Sequence, residues 1–67
     1  MEDGKVKSYS AAVDLGFIEP TQGGADVLFQ KHVVKGGDPE DLQRGDVLKF
    51  DAQGEDPDRV ATKVVIS

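Results

Sequence analysis

Apolar and polar positions alternate with a period of two in several short stretches of this chain, and glycine and proline separate them. The most informative stretch is Leu15-Gly16-Phe17-Ile18-Glu19-Pro20, closed by the turn Thr21-Gln22-Gly23-Gly24. Successive side chains of a strand point to opposite faces, so Leu15, Phe17 and Glu19 share one face and Gly16 and Ile18 the other. Asp26-Val27-Leu28-Phe29-Gln30 repeats the alternation, with Val27 and Phe29 on one side and Leu28 and Gln30 on the other. Joined through the glycine pair, the two runs predict a β-hairpin. Ile18 turns to a core, which leaves Leu15 and Phe17 on an opposite surface. The hairpin therefore carries large apolar side chains on both faces.

The same pattern organises the rest of the chain. Lys5-Val6-Lys7-Ser8-Tyr9-Ser10 predicts a first strand with Val6 in the core. Ala11-Ala12-Val13-Asp14 connects it to the hairpin, with Asp14 in the turn position before Leu15. Lys31-His32-Val33-Val34 is too short for a helix and is expected to make one 3₁₀ turn that buries a single valine. Gly36-Gly37-Asp38-Pro39 marks a loop, Arg44-Gly45-Asp46 a tight turn and Gln53-Gly54-Glu55-Asp56-Pro57-Asp58 a further loop. Val47-Leu48-Lys49-Phe50-Asp51 and the Val-rich residues 59–66 supply the fourth and fifth strands. The fold class expected is all-β, a five-stranded antiparallel Greek-key barrel forming one domain over residues 1–67. Closure removes the exposed edges that so short an all-β chain would otherwise present.

Composition narrows the function classes. A chain of 67 residues with 37% hydrophobic content buries only about 60% of its unfolded surface, so its stability is expected to be modest. There is no cysteine, which removes disulfides and thiolate metal sites. No apolar run approaches the roughly 20 residues of a membrane span, and Met1-Glu2-Asp3-Gly4-Lys5 lacks the basic-then-apolar pattern of a signal peptide. A soluble, cytoplasmic protein starting at its natural Met is the expectation. His32 is the only histidine and has no evident ligand set or nucleophile to serve, so neither catalysis, a metal nor a cofactor is expected. The glycine pairs do not lead into a helix with a basic residue, as a phosphate-binding loop would. Asp51, Glu55, Asp56 and Asp58 lack the spacing of a calcium loop, which Pro57 interrupts. The net charge of −5 disfavours a tight, charge-driven nucleic-acid binder, since Lys and Arg on phosphate supply most non-specific affinity.

Over about Gly4 to Ile66 the residues nevertheless resemble a cold-shock domain, a barrel of the OB type. The family opening Gly-x-Val-Lys-Trp-Phe-Asn is matched by Gly4-Lys5-Val6-Lys7-Ser8-Tyr9-Ser10. Its first ribonucleoprotein motif, Lys-Gly-Phe-Gly-Phe-Ile, corresponds to Val13-Asp14-Leu15-Gly16-Phe17-Ile18. The second, Val-Phe-Val-His-Phe after an Asp, corresponds to Asp26 and then Val27-Leu28-Phe29-Gln30-Lys31. Leu42 to Phe50 is similar to the family's Leu-x-x-Gly-x-x-Val-x-Phe, and Ala61-Thr62-Lys63-Val64 to its closing Ala-x-x-Val. The resemblance implies single-stranded RNA or DNA as partner, bound by stacking of bases on outer-face aromatics.

The chain departs from that pattern on the binding face itself. Ser8 stands for the family Trp, Leu15 and Leu28 for two Phe, Gln30 for His and Lys31 for Phe, while Val13 and Asp14 replace Lys and Gly. Lys7, Tyr9 and Phe17 keep their character. Three stacking platforms lost at ~1.5 kcal/mol each amount to about 4–5 kcal/mol, which turns a micromolar binder into a roughly millimolar one. The resemblance thus implies a weak nucleic-acid face of Lys7, Tyr9, Leu15, Phe17, Leu28, Gln30 and Lys31. Tyr9 fits either packing at the sheet edge or ligand contact. A second reading stays open beside this one: Leu15, Phe17 and Leu28 form an apolar patch for a protein partner or a homodimer, on a barrel that is otherwise structural.

Overall fold

A computed structural model describes residues 1–66; Ser67, the last residue of the expected domain, lies outside the described residues. The chain forms strands β1 (Glu2–Ser10), β2 (Leu15–Pro20), β3 (Val27–Gln30), β4 (Val34–Lys35), β5 (Val47–Gln53) and β6 (Val60–Ile66). Short 3₁₀ turns stand at Lys31–Val33 and Pro39–Asp41, and there is no α-helix among the described residues. Antiparallel pairing runs β3-β2-β1-β5-β6, and a contact between β3 and β6 closes five strands into a barrel. That closing contact is parallel, with Leu28 opposite Val60 and the Leu28 N–H donating to the Arg59 carbonyl at 3.3 Å. The all-β, five-stranded barrel read from the alternation is the observed fold.

The period of two sorts the side chains as the hairpin pattern required. In β2, Gly16, Ile18 and Pro20 are buried and Phe17 and Glu19 exposed; in β3, Val27 and Phe29 are buried and Gln30 exposed. The core comprises Val6, Ile18, Val27, Phe29, Leu48, Phe50, Ala61 and Val64, each at most 3% exposed. Two inward-facing glycines make room for it. A Cβ on Gly4 would lie 2.5 Å from Ile18 Cγ2, and one on Gly16 would lie 2.5 Å from Phe29 Cζ. Asp14, with φ of 57°, takes the left-handed position of the β1–β2 turn, a conformation that Asp tolerates better than most residues.

Three features differ from the sequence expectation. The first strand begins at Glu2 rather than Lys5, because residues 2–5 pair with Phe50, Lys49, Leu48 and Val47 of β5. The 3₁₀ turn at Lys31–Val33 buries no residue fully. Val33 and Val34 are both half-buried against the core, and Val34 is drawn into β4, where it pairs in parallel with Val64 of β6. Finally, β1 carries a bulge between Val6 and Ser8. Val6 pairs with Ile18 and Ser8 with Phe17, so Lys7 is the extra residue and the in–out phase of β1 changes after it.

The close approach at Gly16 gives a direct test. Gly16→Ala should destabilise the barrel by about 2 kcal/mol, the usual scale of an overpacked core, which is a fall in Tm of roughly 10 °C for a domain of this size. Gln22→Ala, at an exposed turn position, should leave Tm within about 2 °C. Thermal unfolding followed by circular dichroism measures both.

Candidate nucleic-acid interface

The outer face of β1, β2 and β3 is laid out by strand register. One cross-strand row reads Ser8, Phe17, Leu28 and Val60, because Ser8 pairs with Phe17, Phe17 with Leu28 and Leu28 with Val60. A second reads Ser10, Leu15 and Gln30. Between them runs an inward row of Tyr9, Gly16 and Phe29. Phe17 is 44% exposed and Val60 42%, while Leu15 and Leu28 are half-buried. The hairpin thus presents an aromatic ring flanked by aliphatic side chains at the middle of an open sheet face.

Of the seven residues expected at this site, Leu15, Phe17, Leu28 and Gln30 share the outer face in adjacent rows. Lys31 follows directly at the end of β3, exposed and with no ion-pair partner among the described residues; its N–H donates to the Asp14 carbonyl at 3.0 Å. Lys7 projects from the bulge and its ammonium lies 2.9 Å from Asp26 Oδ2, so part of its charge is already answered within the protein. Tyr9 sits apart from the others. Its ring stacks on Phe29, with centroids 5.8 Å apart and planes inclined by 16°, and the Phe29 ring edge fills the space the missing Gly16 side chain leaves.

The Tyr9 hydroxyl is occluded and has no hydrogen-bond partner. Loss of solvent around it, and next the negative charge of Asp14, raise its pKa above the ordinary 10.0.

Two further residues belong to this surface that the hairpin pattern did not single out. Val60 extends the apolar row onto β6, and Arg59 lies beside it. The Arg59 guanidinium is held by Glu2 and sits 5.8 Å from the centroid of the Phe50 ring, a cation–π distance. Alternation along the closing strand carries the signal for Val60: Ala61 and Val64 are buried while Val60 and Thr62 face out. Among the described residues no group of three or more His, Cys, Asp and Glu side chains is placed to hold a metal ion. No helix among them is long and apolar enough to cross a membrane.

A closed five-stranded barrel of this size has the architecture of the OB-type modules. The chain belongs to the cold-shock DNA-binding domain family, whose model matches residues 2–67. Proteins of that family bind single-stranded nucleic acid.

Burial of the phenol makes a prediction about pH. Tyr9 is the only tyrosine, so phenolate absorbance reports it alone. Its midpoint in the folded protein should lie above 10.0 and return to the ordinary value in denaturant. The folded state favours the neutral phenol, so this contribution to stability is complete below the unfolded pKa and is lost as pH rises through the raised one. Tyr9→Phe should abolish the alkaline loss and leave stability at neutral pH unchanged or higher, because the hydroxyl it removes has no partner.

Proposed function

We propose that this barrel is a cytoplasmic module that binds single-stranded RNA or DNA weakly, acting by binding alone and performing no chemistry. The carrying observation is Phe17, a 44%-exposed ring at the centre of the β1–β3 face, in the position to which the motif resemblance assigns a base-stacking ring. Leu15 and Leu28 flank the ring and offer apolar contact without aromatic stacking. Gln30 presents an amide to a base edge, and Lys7 and Lys31 reach for phosphate. Tyr9 contributes from beneath, holding Phe29 and with it the β3 strand that carries Leu28 and Gln30.

Weak affinity follows from three features of the same face. Leucines replace two rings, Asp14 and Glu19 stand exposed at its margins, and Asp26 holds Lys7. A second reading rests on the continuous row Phe17, Leu28 and Val60, which with Leu15 would suit a protein partner or a second copy. Salt separates the two, because phosphate contacts weaken as salt rises and an apolar protein contact barely responds.

Titration with a short oligothymidine or oligouridine strand at low salt, followed by amide chemical shifts, tests the first reading. Shifts should localise to Phe17, Leu28, Gln30 and Lys31 and fade with added salt. Phe17→Ala should weaken binding by about tenfold or more, the worth of one stacked base, and Leu28→Phe should strengthen it by a similar order. An unchanged spectrum at millimolar strand would refute nucleic-acid binding and turn attention to the apolar row as a protein contact.

A further inference from the structure

Next to Phe17 the surface dips into an open groove of about 330 Å³ between β2, β3 and the start of β6. Phe17, Leu28 and Val60 form its apolar side, and Asp26, Asp58 and Arg59 its polar side. The charges there are unevenly committed. Asp26 uses Oδ2 on the Lys7 ammonium, and the Arg59 guanidinium is engaged by Glu2 and the Phe50 ring. The Asp58 carboxylate has neither a hydrogen bond nor an ion pair among the described residues. The groove therefore pairs a stacking floor with a free, acceptor-only group.

Resting on the nucleic-acid reading above, the geometry points to base selectivity in this groove: Asp58 favours a base that presents adjacent N–H donors, guanine above all, and disfavours thymine and uracil. A carboxylate has two acceptor oxygens and no proton to give. The Watson–Crick edge of guanine offers N1–H and the N2 amine side by side, which matches those two oxygens. Cytosine and adenine offer one amine beside a bare ring nitrogen. Thymine and uracil offer one N–H between two carbonyl oxygens, and those carbonyls face the carboxylate's negative charge. The floor of Phe17, Leu28 and Val60 accepts any base, so selection falls to the rim. Charge complementarity at one unpaired acid thus picks the occupant.

Three short DNA strands decide the matter: an all-thymidine strand, the same strand with one central guanine, and one with hypoxanthine there, which lacks the N2 amine. The guanine strand should bind about fivefold or more tightly than the all-thymidine strand, the scale of one good bidentate contact. Hypoxanthine should forfeit most of that gain. Asp58→Asn should bring guanine and thymidine strands close to equal affinity. Asp58 is exposed and its side chain supports no contact, so the variant's amide spectrum should match the parent's away from residues 57–59. Equal binding of guanine and thymidine strands by the parent, or a preference that survives Asp58→Asn, overturns the selectivity while leaving the nucleic-acid reading intact. Failure of all three strands to bind overturns both.

Discussion

The barrel depends on the absence of a side chain at Gly16. Tyr9 and Phe29 lie on strands either side of β2 and their rings stack, with the Phe29 ring edge set close over the Gly16 backbone. A methyl group there would occupy the position of the Phe29 ring edge. The β1–β2–β3 sheet is therefore pulled tight around its inner row, and the outer rows inherit their spacing from it. Gly4 does the same on the other flank, beneath Ile18 and Phe50. Core packing at both places is set by what the backbone can approach, so the inner face tolerates little change. The side chains of Leu15 and Leu28 lie outside the buried core, so leucine stands there without disturbing the core packing.

Much of this was legible in the sequence, and the reason is the strict alternation of β2 and β3. Phe17 faces out and Ile18 in, Leu28 out and Phe29 in, as the period of two requires. Tyr9 was not legible, because the bulge at Lys7 resets the phase of β1. Plain alternation from Val6 would place Tyr9 on the face of Lys7, whereas the extra residue turns it inward onto Phe29. A single inserted position carries no compositional mark. The parallel contacts of β6 with β3 and β4 were hidden for a related reason: they join segments about thirty residues apart in sequence, and no local pattern encodes such a pairing. Asp58 escaped notice as one more acid in an acidic loop. Only the folded chain shows that Arg59 and Lys7, the cations nearest the groove, are already taken.

Electrostatics and packing act in opposite directions on this molecule. The resemblance implies binding that joins apolar stacking to phosphate neutralisation, yet here three of the eight Lys and Arg side chains are paired within the protein, among the described residues. Lys7 answers Asp26, Lys49 answers Asp3 and Arg59 answers Glu2. Such exposed pairs add little to stability, but each removes a cation from the field that would draw in a polyanion. With a net charge of −5, the proposed binding would rest more on short-range contact than on long-range attraction.

The seam between β3 and β6 has a mechanical consequence. Ladder pairing there is confined to Leu28 opposite Val60, so the barrel is closed by its thinnest join directly under the apolar row. A strand of nucleic acid bound as proposed across Phe17, Leu28 and Val60 would touch both sides of that join at once. Under the proposed binding mode, a ligand selective for the closed form would act as a clasp and shift the seam toward closure by mass action.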